Sequence, residues 1–231
     1  MEKQKVTMTD ARQNTYLYNE AVKTLRTNLQ FAGRNVKTIM LTSCYPNEGK
    51  SDTVLQLARE FGNMGKKVLV LDADIRKSAF ISHYQVKKKL KGLSQYLSGQ
   101  ASLTDVLFET NFDNVDFIFA GASTPNPSEL LEDPAFGELV KYLRQNYDYI
   151  LIDTPPLSSV IDAAIVAKQC DGAVLVVENE FVSWRAALRA KEQLEKTGCK
   201  ILGAVLNKVD MDREKYYYKK DRYYDYYYYR K

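Results

Sequence analysis

An apolar run from Thr38 to Thr42 leads into Cys44-Tyr-Pro-Asn-Glu-Gly-Lys-Ser51, and no other junction constrains the fold as strongly. The run predicts a buried strand, and Val54, Leu57, Ala58, Phe61 and Met64 then recur at helical spacing. A Gly-Lys-Ser turn between a strand and a helix N-terminus is suited to cradling phosphate. Backbone N–H groups close round the polyphosphate, the helix dipole favours its charge, Lys50 reaches the outer phosphates and the Ser51 hydroxyl ligates Mg²⁺. Gly49 lets the backbone approach closely. The eight-residue pattern wants Gly first, where this chain has Cys44, but strand and helix on either side outweigh a chance surface turn.

Two further apolar runs end in acids. Lys67 to Leu71 precedes Asp72-Ala-Asp74-Ile-Arg76, and Tyr149-Ile-Leu-Ile precedes Asp153-Thr-Pro-Pro156. Continuous β-branched and aliphatic runs predict strands covered on both faces, and their C-terminal ends are where open α/β sheets bind ligands. Alternation puts Asp72 and Asp74 on one side of extended chain, where they either hold Mg²⁺ and serve as a general base or merely cap the next turn. Asp153 reads as a Mg²⁺ residue. Strands are also expected at Phe117 to Phe119, Ala173 to Val177 and Ile201 to Leu206. Helices are expected over 15–32, from the Pro125 turn to about Arg144, and from Ser183 to Lys196 ahead of Gly198. Residues 75–110 show little period, and within them Lys87-Lys-Lys-Leu-Lys and the lone His83 read as surface. Strand–helix alternation predicts an α/β fold, a mostly parallel sheet with helices on both faces.

A chain of 231 residues suits one such domain. The net charge of +4 is spread over most of the chain, so nucleic acid is not an expected partner. The first fourteen residues are polar and read as a flexible lead-in, and no apolar run reaches bilayer length, so a cytoplasmic location is expected. Cys44, Cys170 and Cys199 have no metal-type spacing.

On the first expected helix Glu20, Lys23 and Arg26 recur at intervals of three, as a solvated stripe or a self-association face. Asn207-Lys-Val-Asp210 matches a guanine-reading sequence, but Asp153-Thr-Pro-Pro156 lacks the Asp-x-x-Gly that accompanies it. Asn207 therefore reads as a purine-edge hydrogen bonder without guanine selectivity. The chain's 17 tyrosines concentrate at its end. Tyr216, Tyr217, Tyr218, Tyr223, Tyr224, Tyr226, Tyr227, Tyr228 and Tyr229 lie in a segment, 212–231, with seven basic and four acidic side chains and no aliphatic residue. Such a tail cannot build a core and is expected to be disordered. Its phenols are phosphate acceptors or, alternatively, platforms for nucleic-acid bases.

Taken together, Cys44 to Ser51, Asp72-Ala-Asp-Ile-Arg76, Asp153-Thr-Pro-Pro156 and the tyrosine cluster resemble the bacterial tyrosine kinases of capsule and exopolysaccharide synthesis, in their stand-alone cytoplasmic form. The resemblance runs from about Glu20 to the C-terminus. It implies a single P-loop NTPase kinase domain over 15–210, an autophosphorylation tail over 211–231, and residues 1–14 as a flexible N-terminus. ATP and Mg²⁺ would be held by Asn47, Glu48, Gly49, Lys50, Ser51, Asp52 and Asn207, with Ser51, Asp74 and Asp153 on the metal. Lys50, Asp72, Asp74 and Arg76 would carry catalysis, and the tail would be phosphorylated in trans.

The resemblance further implies a ring oligomer through Glu20, Lys23 and Arg26, a separate transmembrane activator of the polysaccharide co-polymerase type, recruitment to the inner face of the plasma membrane, and a cognate tyrosine phosphatase. Several positions depart from the family pattern. Lys23 stands where Arg is usual and loses the bidentate fork. Asn47 replaces a frequent Gly, a change that Asn's access to left-handed conformations makes tolerable. Asp52 replaces a common Thr and brings negative charge towards bound phosphate. A competing expectation is a nucleotide-switched positioning ATPase, but that group carries Lys where this chain has Tyr45.

Overall fold

The computed structural model describes residues 3–10, 15–33, 35–86 and 90–210. Along the chain, β1 (Gln4–Val6) and α1 (Tyr16–Phe31) precede β2 (Thr38–Ser43), α2 (Lys50–Asn63) and β3 (Val68–Asp72). Three short helices follow, α3 (Phe80–His83), α4 (Leu93–Leu97) and α5 (Leu103–Val106), then β4 (Phe108–Thr110) and β5 (Val115–Ile118). The second half holds α6 (Pro127–Glu132), α7 (Pro134–Asn146), β6 (Tyr149–Asp153), α8 (Asp162–Ala167), β7 (Gly172–Glu178), α9 (Trp184–Lys196) and β8 (Ile201–Asn207).

The strands form one sheet in the order β1-β4-β5-β3-β6-β2-β7-β8, parallel throughout except where β4 meets β5. Side-chain alternation divides the core in two. Met40, Leu69, Leu71, Ile150 and Ile152 face one layer with Phe136, Leu139 and Leu143 of α7, Val166 of α8 and Leu194 of α9. Ile39, Leu41, Val68, Val70 and Leu151 face the other, with Val54, Leu57, Ala58 and Phe61 of α2 and Leu29 of α1. The expected parallel sheet with helices on both faces is therefore the observed fold.

Three details differ from expectation. Within the segment read as a flexible lead-in, Gln4–Val6 pair in parallel with β4, and Val6 and Met8 are buried. The Asp10 carboxylate then accepts from Gln56 at 2.7 Å on α2. Too short to show a period, β1 finds its partner a hundred residues away. Residues 75–86 and 90–110 also hold more structure than their weak period suggests: Phe80, Leu93 and Val106 fix the short helices to the core, while His83 is exposed as expected. Finally, the helix expected to run to Arg144 is broken at Asp133-Pro134, where Pro134 opens α7 and Asp133 caps it through the Ala135 N–H at 2.8 Å.

The order β3-β6-β2 fixes the position of the site. Asp72 pairs with Asp153 in register, and Leu41 pairs with Asp153 from the other side. The segment after β6 zips onto the end of β2, Thr154 N donating to Leu41 O at 3.2 Å and Leu157 N to Ser43 O at 2.9 Å. Both acidic strand ends are thus brought to the mouth of the loop that follows β2.

Candidate phosphate-binding and carboxylate site

The loop is built around Glu48. Its buried carboxylate accepts from Tyr45 N within the loop and from Glu178 N at 2.9 Å on β7, while its backbone carbonyl accepts from Asn207 Nδ2 at 2.8 Å. One residue, through its side chain and its backbone carbonyl, therefore ties the loop to the ends of two strands. Asn47 sits at φ 67°, the left-handed conformation its sequence position calls for. Gly49 has φ 86° and caps α2, and a Cβ there would come within 2.1 Å of the Asn207 amide.

Of the residues the sequence nominates, Lys50, Ser51, Asp74 and Asp153 converge. Lys50 Nζ lies 3.5 Å from Asp153 Oδ2 and 3.9 Å from Asp74 Oδ2. The Ser51 hydroxyl donates to Asp153 Oδ2 at 2.6 Å. Asp72 lies deeper, fully buried, accepting from the Ser78 hydroxyl, from Asp74 N at 3.2 Å and from Ala120 N at 3.4 Å. Burial disfavours the Lys50 charge, but Asp153, Asp74 and Asp72 outweigh it and its pKa is raised. Burial pushes the Asp72 carboxyl up, with the charges of Asp153 and Asp74 adding to the shift. Asp153 is raised for the same first reason, against the pull of Lys50 and the Ser51 bond.

The donor set fits Mg²⁺. Asp153 Oδ1 is buried and has no hydrogen-bond partner, beside a hydroxyl and a second carboxylate, all hard oxygen ligands. Among the described residues no group of three or more carboxylate, imidazole or thiol side chains is arranged to hold a metal alone. That suits an ion that takes one or two protein carboxylates and completes its shell with phosphate oxygens and water.

Other nominated residues are placed differently. Arg76 turns to Asp162, with Nε 2.6 Å from Oδ2 and Nη2 3.0 Å from Oδ1. Asp52 accepts from the buried Tyr84 hydroxyl at 2.8 Å. The Asn207 amide nitrogen, read as a purine contact, is engaged by the Glu48 carbonyl. On α1, Lys23 and Glu20 pair at 2.8 Å on the exposed face, but Arg26 is turned inward to Glu60 of α2 at 3.2 Å. A spacing of three drifts about 60° per step on a helix, so Arg26 lies about 120° round from Glu20 and faces its neighbour. Burial raises the Cys44 thiol to about 11, which leaves it a neutral wall of the loop. The nine tail tyrosines lie outside the described residues. Sequence reasoning missed Glu48 as the loop's brace, and missed Ser78, Ser128 and Asp162, whose contacts carry no local pattern.

Residues 36–207 match the family model described as an AAA domain. The tyrosine-protein kinase CpsD of Streptococcus pneumoniae is 40% identical over 197 residues, 85% of this chain and 87% of the relative. The kinase domain of the Escherichia coli tyrosine kinase ETK superposes with a TM-score of 0.80 at 30% identity, covering 88% of this chain and 89% of that domain. The septum site-determining protein MinD of Pyrococcus horikoshii, complexed with Mg-ADP, has a TM-score of 0.65 at 29% identity, over 75% of this chain and 71% of its own. With its phosphate loop, paired acidic strand ends and sheet order in place, the chain belongs to the AAA-domain family and, within it, to the bacterial tyrosine-protein kinases.

Proposed function

We propose that the chain transfers the terminal phosphoryl group of ATP to tyrosine hydroxyls, first to those of its own C-terminal cluster, and in trans. The observation that carries this reading is the convergence of Lys50, Ser51, Asp74 and Asp153 at one loop mouth, with Asp72 behind them. The loop N–H groups of Asn47 to Asp52 and the Lys50 ammonium are suited to binding the phosphates and orienting the terminal one. Ser51, Asp153 and Asp74 would hold Mg²⁺, which would supply neutralisation of the phosphate charge. The phenol oxygen forms its bond to phosphorus as the bond to the bridging oxygen of ADP breaks, and the phenolic proton passes to the Asp72–Asp74 carboxylate pair. Asn207 acts through the loop it braces, and its carbonyl oxygen is the group left for a purine edge.

In this reading 15–210 is the kinase domain and 211–231 the substrate tail, with Tyr216 to Tyr218, Tyr223, Tyr224 and Tyr226 to Tyr229 as acceptors. Phosphorylation regulates capsular or exopolysaccharide synthesis and export, and a tyrosine phosphatase reverses it. A separate membrane activator brings the kinase to the inner face of the plasma membrane. Among the described residues no helix is long and apolar enough to cross a membrane. Self-association uses the α1 face, with the exposed Glu20–Lys23 pair as its charged contact and Arg26 bracing α1 against α2. Incubation with Mg·ATP, with and without an activator tail, followed by mass mapping of phosphotyrosine, tests the reading. Label on the terminal cluster supports it, and ATP turnover without phosphotyrosine under both conditions refutes it.

A further inference from the structure

We infer that Asp162 and Ser128 are positioning residues for phosphoryl transfer, which act by locking Arg76 and with it the turn that presents Asp74. The inference rests on the kinase reading above.

Arg76 belongs to the turn after β3, and its guanidinium is engaged by Asp162 and Ser128. Its Nε and Nη2 form a two-bond fork with the Asp162 carboxylate at 2.6 and 3.0 Å, and Nη2 also donates to Ser128 Oγ at 2.9 Å. Ser128 in turn donates to Asp162 Oδ1 at 2.7 Å, closing a three-member ring of bonds. Asp162 is fully buried although it opens a six-residue helix, α8, at whose start solvent would be the ordinary partner. A buried carboxylate held by a fork is costly to leave half-made, so the three groups keep one another in place.

The lock joins three segments that share no local sequence pattern: the Asp72–Arg76 turn, the segment from Asp153 to Asp162 after β6, and the start of α6. Asp74 sits two residues from Arg76, and its Oδ1 accepts from Lys77 N at 3.0 Å, so Arg76 lies inside a closed turn. The other oxygen, Oδ2, faces Lys50. The Arg76 charge is held chiefly by its bonds to Asp162 and more weakly by the field of Asp74. With Asp162 neutral, the guanidinium keeps Asp74 as its nearest remaining acid, and the turn loses the anchor that aims Asp74 at the loop mouth.

The test is steady-state kinetics of the full chain with its activator tail. Asp162→Asn keeps shape and loses charge, and Arg76→Lys keeps charge and loses the fork. Each is expected to lower kcat for phosphotyrosine formation roughly 10- to 100-fold while leaving KM for ATP within about twofold, the size expected of a reacting group displaced by about 1 Å. Ser128→Ala should give a smaller loss of the same kind. The double variant Asp162→Asn/Arg76→Lys should be no worse than the poorer single, because both break one unit. Wild-type kcat in Arg76→Lys, losses that multiply in the double variant, or a lowered melting temperature with unchanged kcat in the folded protein would each overturn the inference. If Asp162→Asn does not fold, Arg76→Lys and Ser128→Ala, which change half-exposed or small side chains, decide the matter alone. ATP hydrolysis measured in parallel separates the two readings. Wild-type hydrolysis without tyrosine labelling strikes the kinase reading, whereas hydrolysis undiminished in the variants strikes the lock.

Discussion

The Ser51 hydroxyl donates to Asp153 Oδ2 at 2.6 Å, so with the Lys50–Asp153 ion pair at 3.5 Å the first turn of α2 meets the end of β6 at one carboxylate oxygen, and the other oxygen is buried without a partner. A charge kept in that state is a liability to the empty fold and an asset to a cation site. Asp153→Asn should therefore melt no lower than the wild type without ligand, yet lose most of the thermal shift that Mg·ATP produces. Thermal denaturation with and without Mg·ATP checks both halves, and an undiminished shift refutes the assignment.

Lys50 faces three acids and fills no part of the core, its side chain being 13% exposed. Lys50→Met should cut phosphotyrosine formation by about 1,000-fold or more, the scale of losing a charge that acts on transferring phosphates. Its circular dichroism spectrum should match the wild type. Anti-phosphotyrosine blotting reads the first claim, and undiminished labelling would refute the site.

Much of this site was legible in the sequence, because its residues sit where strong local signals end. The β3 and β6 runs are continuous and apolar since both faces are covered, and each stops at the acid that the site uses. The Gly-Lys-Ser turn likewise falls where a continuous buried run gives way to a period of 3.6. What escaped notice is set by distance or by shortness. The α3, α4 and α5 helices are too short to show a period, and β1 pairs with β4 across a hundred residues. The break at Pro134 was signalled by Asp-Pro, but apolar residues keep helical spacing on both sides and masked it. The three-residue stripe Glu20, Lys23, Arg26 reads as one face only if the helical drift is ignored. Asp162 meets Arg76 across 86 positions, and nothing near either residue announces the other.

The buried acids set a pH dependence whose sign is opposite to that of a surface salt bridge. Asp72 has its folded pKa raised from 3.8 to about 8, first by burial and then by Asp153. The unfolded chain thus loses this proton at lower pH than the folded chain. Stability is full below the unfolded pKa and falls as pH rises through the window between the two values. Asp72→Asn removes the liability. Its unfolding free energy relative to the wild type, read by chemical denaturation, should rise steadily from pH 5 to pH 8, by about 4 kcal/mol at the upper end. A difference that stays constant across that range would sink the explanation.

ATP should be bound in preference to GTP despite Asn207-Lys-Val-Asp210. The Asn207 amide nitrogen donates to the Glu48 carbonyl, and Lys208 pairs with Glu178 at 2.8 Å, so both residues are occupied in bracing the loop and β7. Competition between labelled ATP and unlabelled GTP measures this, and a preference for GTP would place the chain among guanine-nucleotide switches.

The final prediction is that tail phosphorylation takes apart a self-assembled complex. Residues 212–231 carry seven basic and four acidic side chains, so the unmodified segment is net +3 and is attracted to a mouth where Asp74 and Asp153 converge. Each phosphate adds about −1.5 to −2 at neutral pH, so two bring the segment to neutral or just below, and several make it strongly anionic. An anionic tail is repelled by the carboxylates and by bound ATP, and it leaves the neighbour's site. The remaining α1 contact is then weak, because Glu20 and Lys23 form an exposed pair while Arg26 is committed to Glu60 within its own chain. Complexes should therefore fall apart as phosphorylation proceeds. Because the acceptor is a neighbour's tail, a Lys50→Met protein with an intact C-terminus should be labelled by an active partner truncated after Asp210. Light scattering at matched concentration compares the unmodified and modified forms. An unchanged mass after full tyrosine phosphorylation ends the assembly claim, and failure of the mixed labelling ends transfer in trans.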